Sequence, residues 1–366
     1  MLRRGIAILL LAAGMLCLSG CARLFVTEYR SAAPYTDPQT EPDASGTEIR
    51  TYSDLKRVLR GMVADYVDRG TLVFADYDGI IADDLSNACW ELRSSTALGA
   101  YCLQDITYEI EQVVAYCEAD VVITYKRSAD EVKSIWNAQN RAAVQGYITE
   151  AVESDRRVFA IMTSVNSITE ADIQDMVESQ ILSHPLVSVS IPDAEITMFT
   201  GSTPQRIFEV RLSYPISDAE CAARRTELAA AVQKLANQIH GEGAERVAAA
   251  CDAVGRSVER AGAGDSTAYD ALVAHQGDSR ATAMALKAVC DALEIPCEIV
   301  DGQLGSFFHT WNIVEIDGER YHVDLTGYAG TLWFQPDAVV WGRYWWNTEA
   351  HAPCTAEGIV WSGSAE

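Results

Sequence analysis

No segment of this 366-residue chain is apolar for long enough to cross a bilayer. The longest apolar run, Ile6 to Leu18, has 13 positions, against the roughly 20 that a spanning helix needs. No CxxC pair occurs among the ten cysteines, which argues against a zinc ribbon or a thioredoxin-like redox site. Basic residues are scarce: 28 Lys and Arg stand against 52 Asp and Glu, a formal net charge of −24. Such a balance repels nucleic acid and anionic lipid headgroups, so no nucleic-acid partner is expected. Histidine is rarer still, and between positions 49 and 215 only His184 occurs.

The front of the chain is rich in signals. Arg3 and Arg4 precede the short apolar run, which ends in Leu18-Ser19-Gly20-Cys21. A basic start, an apolar core and small residues before a cut describe a secretory signal. Cys directly after Leu-Ser-Gly resembles a bacterial lipobox, which implies cleavage after residue 20 and a diacylglyceryl thioether on Cys21. The expected location is the extracytoplasmic face of the bacterial cell membrane, held there by lipid. Cleavage removes two arginines and no acid, leaving 26 basic against 52 acidic residues, formally −26. Residues 21–48 are polar, with Pro34, Pro38 and Pro42, and read as a flexible tether. Eight cysteines remain beyond Cys21, an even number that leaves disulfides and scattered buried thiols both open. Cys297 with Cys354, both in the C-terminal half, is the first candidate pair for a bridge.

Residues 49–215 carry a pattern that occurs twice. Leu55, Val58, Leu59, Met62, Val63 and Tyr66 have helical spacing and precede the apolar strand Thr71 to Ala75. Ala143 to Val152 is again helical and precedes the strand Arg157 to Met162, an offset near 85 residues. Each strand leads to a second helix and then to paired strands, so the segment reads as two α-β-α-β-β repeats. Within the first, Val73-Phe74-Ala75-Asp76-Tyr77-Asp78-Gly79 is similar to the first motif of haloacid-dehalogenase-type phosphatases. No later acidic pair follows a strand, so Asp78-Gly79 reads better as a turn. Asp76, Asp78, Asp83 and Asp84 leave a weak calcium affinity open.

The chemistry is expected in residues 216–366. A helix is predicted from Ala268 through Leu293, carrying Asp278-Ser279-Arg280. Next come Ile295-Pro296-Cys297 and a strand, then His309-Thr310-Trp311-Asn312, then Tyr321-His322-Val323-Asp324-Leu325-Thr326. This order resembles the bacterial transglutaminase-like family, whose papain-like core uses Cys, then His, then Asp. The resemblance spans about 90 residues and implies an α+β fold, with a transglutaminase-like C-terminal domain preceded by the duplicated α/β domain. It implies Ser279 at the nucleophile position, His309 as base and Asp324 as the orienting carboxylate, with Trp311, Asn312 and Asp278 contacting substrate. No cofactor and no metal are implied.

Ser279 departs from the family's thiol. A cysteine near a helix N-terminus and an imidazolium can rest as a thiolate, whereas a serine hydroxyl must lose its proton during attack. Asp278 places an acid beside any anion formed at 279, and Ala281-Thr282 replace the family's glycine-aromatic pair. Asp278 and Ser279 also read as a plain helix cap. Two functions remain: a non-catalytic module binding a peptide or cell-wall chain, or a serine-dependent amidase or acyltransferase using Ser279, His309 and Asp324. Cys290 lies too far along the helix to replace the nucleophile. His322 is expected at the surface, turned away from Asp324.

Overall fold

Two sheets of identical strand order occupy the first half of the computed structural model, which describes residues 46–260, 266–326 and 332–360. The first half opens with β1 (Thr47–Glu48), α1 (Tyr52–Ala64), β2 (Arg69–Phe74), α2 (Ile81–Ser95), α3 (Ala97–Cys102), β3 (Leu103–Val113) and β4 (Tyr116–Tyr125). It continues with α4 (Ala129–Lys133), β5 (Trp136–Ala138), α5 (Arg141–Glu153), β6 (Val158–Thr163), α6 (Glu170–Ser183), β7 (Asp193–Thr200) and β8 (Arg206–Ser213). The sheets run β1-β2-β4-β3 and β5-β6-β8-β7. In each, the first pair is parallel and the other two antiparallel.

Local chemistry explains the likeness. α1 is capped by the Thr51 hydroxyl on Asp54 N–H, and α5 by the Asn140 side chain on Ala143 N–H. Both helices end on a left-handed residue, Tyr66 at φ 56° and Asp155 at φ 52°. The next N–H groups, of Val67 and Arg156, close back onto Met62 and Ala151 carbonyls at 2.7 and 2.8 Å, which satisfies the last turn. Leu55, Leu59, Met62 and Val63 fall on one helical face and bury it. Between the halves, Arg127 reaches the buried carboxylate of Glu209 and stacks over Tyr101 at 4.9 Å.

The second half begins with α7 (Asp218–Ala236), α8 (Gly243–Ser257), β9 (Glu259–Arg260), α9 (Ala268–Leu272), β10 (Gln276–Gly277) and α10 (Ser279–Ala292). β11 (Cys297–Leu304), β12 (Phe307–Ile316), β13 (Glu319–Asp324), β14 (Leu332–Gln335), α11 (Asp337–Val340) and β15 (Tyr344–Trp346) follow. The sheet order is β14-β13-β12-β11-β15, antiparallel throughout. α10 is buried on nearly every side, as a central helix should be. Leu182 and Val189 join the same core as α7, α8 and α10, and the described residues from Gly46 onward make one compact unit. The class is α+β.

Four expectations change here. The helix predicted from Ala268 to Leu293 is broken between α9 and α10. A Cβ on Gly277 would meet the Ala281 methyl at 2.6 Å, so the glycine lets the chain fold against the helix that Asp278 then starts. Thr47 and Glu48, read as the tether's end, pair with Leu72 and Val73 as an edge strand. Cys297 and Cys354 are free thiols, as are the other six described cysteines, and Cys297 Sγ accepts Asn312 Nδ2 at 3.5 Å. Asp76 and Asp78 are exposed and do not gather with Asp83 and Asp84 into a cluster of ligating atoms. The expected signal and Cys21 lie outside the described residues.

Candidate functional site

Ser279 is the first residue of α10, and Asp278 is its N-cap. The Asp278 carboxylate accepts Ala281 N–H at 2.9 Å and the Ser266 hydroxyl at 2.8 Å. Ser279 is half-buried, and its Oγ accepts the backbone N–H of Thr310 at 3.3 Å. This bond stitches the start of α10 to β12 beside His309.

His309 is 7% exposed, and its Nε2 lies 2.8 Å from Oδ2 of Asp324 at the end of β13. The Tyr344 hydroxyl donates to the same oxygen at 2.7 Å. The other oxygen accepts Thr326 N–H at 2.8 Å and its hydroxyl at 3.0 Å. Burial pushes the Asp324 carboxyl up, but the bonds from His309, Thr326 and Tyr344 outweigh it and hold it below the ordinary carboxylate value. An ionised carboxylate only accepts, so Nε2 of His309 carries a proton and, in the neutral ring, Nδ1 is bare. That is the tautomer a general base requires. Burial and the Asp324 charge push the Tyr344 phenol up, which keeps it a donor. Among the hydrogen bonds of the described residues, none joins Ser279 to His309.

Trp311, Asn312 and Asp278, expected to contact substrate, are used within the fold. Trp311 is buried, lies 6.3 Å from the His309 ring at 23°, and packs edge-on against Tyr344. Gly302 makes its room: a Cβ there would stand 2.9 Å from the Trp311 ring and 2.3 Å from the Trp345 carbonyl. Asn312 is buried too, donating from Nδ2 to the Ala283 carbonyl at 3.0 Å and so fixing α10 on β12. Asp278 is the cap already described.

His322 is fully buried, against the expected surface position. Residues two apart in a strand share a face, so His322 lies on the side of Asp324, and β13 is an inner strand covered on both faces. The Trp311 indole donates to His322 Nδ1 at 2.9 Å, and Nε2 faces Asp337 at 2.8 Å. Cys354 completes a cluster whose ligating atoms lie within 4.8 Å of one another. An indole N–H only donates, so Nδ1 is the bare nitrogen and Nε2 holds the proton that Asp337 accepts. A metal on Nε2 would need an imidazolate, and burial with the neighbouring Asp337 pushes the Cys354 thiol up to about 12. The cluster is a hydrogen-bonded chain supporting Trp311.

The order of motifs in the sequence gives no sign that Tyr344 or Thr326 is a partner of Asp324. The Asp-x-Thr spacing was a usable signal, because aspartate caps the N–H two residues on. Arg280 also escaped notice. It lines a groove of about 680 Å3 with Asp301, Asn347 and residues of α6, including Asp175 and Glu178.

No family model matches the chain, and no curated protein matches it. Among solved structures, the chain is similar to a protein titled TGase at 9% identity and TM-score 0.27, covering 64% of this chain and 68% of that one. A proposed cysteine protease from Cytophaga hutchinsonii matches at 16% identity and TM-score 0.25, covering 38% of this chain and 65% of that one. A proposed protease from Parabacteroides distasonis matches at 10% identity and TM-score 0.22, over 69% of this chain and 39% of the other. Likeness this remote carries no chemistry from those proteins to this chain.

Proposed function

We propose that this protein is a lipid-anchored cell-surface module that binds a peptide or cell-wall chain in a transglutaminase-like cleft without cutting it. One observation carries the reading. The Asp278 carboxylate occupies the N-terminus of α10, the one place where helix N–H groups would otherwise favour an anion at residue 279. Its charge opposes alkoxide formation, and among the hydrogen bonds of the described residues none joins the Ser279 hydroxyl to a base. The groove at Arg280, Asp301 and Asn347 supplies the binding space. The anchor rests on Cys21 and its lipobox-like context.

A second reading, a serine-dependent amidase or acyltransferase, is favoured by the His309–Asp324 pair, whose hydrogen bonding leaves Nδ1 bare for a proton. Incubation of the full chain with a fluorophosphonate separates the two. The binding reading expects Ser279 to stay unmodified at neutral pH. Stoichiometric phosphonylation of Ser279, prevented by His309→Ala, would establish the hydrolase.

A further inference from the structure

Three exposed side chains line up across the sheet one row beyond His309. Phe308 of β12 is paired with Gln303 of β11, and Gln303 with Trp345 of β15, so all three stand on one face. Phe308 is 89% exposed and Trp345 51% exposed, with the neutral Gln303 amide between the rings. Two positions along the strands, Thr310 faces Asp301, and their side chains are joined at 2.7 Å. Asp301 and Asn347 border a trough of about 400 Å3 that includes the Phe308–Gln303–Trp345 row. The same two residues line the larger groove at Arg280, so trough and groove adjoin.

The charge around the row narrows the occupant. Residues 302–308 contain no charged side chain, and residues 341–348 contain one, Arg343, in a chain with 52 acids. A phosphate-bearing polymer would meet one cation and the Asp301 carboxylate, which disfavours it. A bilayer would have to cover Gln303, Asp301 and Asn347 along with the rings, leaving their polar groups without partners. An uncharged sugar ring suits both parts. Its C–H face stacks on aromatic rings, whose faces carry negative quadrupole charge. Its hydroxyls meet amides and a carboxylate at the trough floor, in the usual pattern of apolar walls with a few polar groups.

We infer that the Phe308–Gln303–Trp345 row is a stacking platform for a neutral glycan chain, which continues past Asp301 and Asn347 into the groove at Arg280. The inference rests on the binding reading above and names the class of ligand. The test is calorimetric titration of the full chain with a hexamer of β-1,4-linked N-acetylglucosamine. It is repeated on a Phe308→Ala/Trp345→Ala double variant and on Trp90→Ala, an exposed tryptophan on α2 far along the chain. The expected result is binding by the wild type, weakened about tenfold or more in the double variant and unchanged in Trp90→Ala, with equal melting midpoints. No binding, equal binding by all three proteins, or adsorption of the wild type to phosphatidylcholine vesicles that the double variant loses would each overturn it. Fluorophosphonate labelling of Ser279 is indifferent to these ring substitutions, so failure here is distinguishable from failure of the binding reading.

Discussion

Ser279 Oγ takes its hydrogen bond from the backbone of Thr310, the residue directly after His309, and not from the histidine ring. The position that would attack is thus tied to the strand carrying the base, while Asp278 fills the helix end with negative charge. The Asp278 charge acts against an anion at residue 279 while the Thr310 N–H favours one, and that opposition makes the electrostatics of the position measurable.

A thiol is the probe. Ser279→Cys is expected to react with iodoacetamide at neutral pH no faster than an exposed cysteine, because Asp278 opposes the thiolate. Adding Asp278→Asn, which keeps an N-cap, should lower the thiol pKa and speed labelling. Rapid labelling of the single variant would show that Asp278 is not the controlling charge.

Tyr344 donates to a buried, ionised carboxylate. Tyr344→Phe should cost about 1.5–3 kcal/mol of stability, the range for a hydrogen bond to a charged group, read from urea unfolding. A change within error would mean that Thr326 and His309 satisfy Asp324 unaided.

Acid should act in two steps. Burial lowers the His322 pKa from the ordinary 6.5, with Asp337 only partly opposing. The unfolded chain therefore binds this proton first, and stability falls as pH drops below about 6.5 towards the folded value. Asp324, held below its ordinary 3.8, contributes stability above that value and loses it only as pH falls through its lower folded pKa. His322→Gln should flatten the melting-temperature profile just below pH 6.5. An unchanged slope would assign that acid sensitivity to another group.

Arg127 and Glu209 join the two sheets of the first half, with Glu209 only 2% exposed. Arg127→Ala should cost about 3 kcal/mol, the low end for an uncovered buried charge, since Arg211 still pairs with Glu209. Thermal unfolding of the two proteins gives the comparison.

Much of the architecture could be read from local pattern. The strands around Thr71 and Arg157 announced themselves by unbroken apolar runs, while the α+β class came from the resemblance of the C-terminal motifs. The order Ser279, His309, Asp324 was legible because each sits in a short, distinctive context. What completes the site is not local. Tyr344 reaches Asp324 through the pairing of β15 with β11, at a strand position that needs Gly302 to admit Trp311. His322 was misplaced because strand alternation puts residues two apart on the same face, and because Trp311, Trp346 and Asp337 cover that face. The break before α10 depended on a single missing Cβ at Gly277. The Asn312 amide donates to the Ala283 carbonyl, a contact between β12 and α10 that no local pattern shows.

The measurement closest to the central claim is amide turnover by the full chain, followed as amine release from a glutamine- and alanine-rich peptide mixture, with Ser279→Ala alongside. The account predicts no release above the Ser279→Ala protein across pH 5 to 9. Turnover by the wild type that Ser279→Ala abolishes would contradict it and make the chain a serine enzyme.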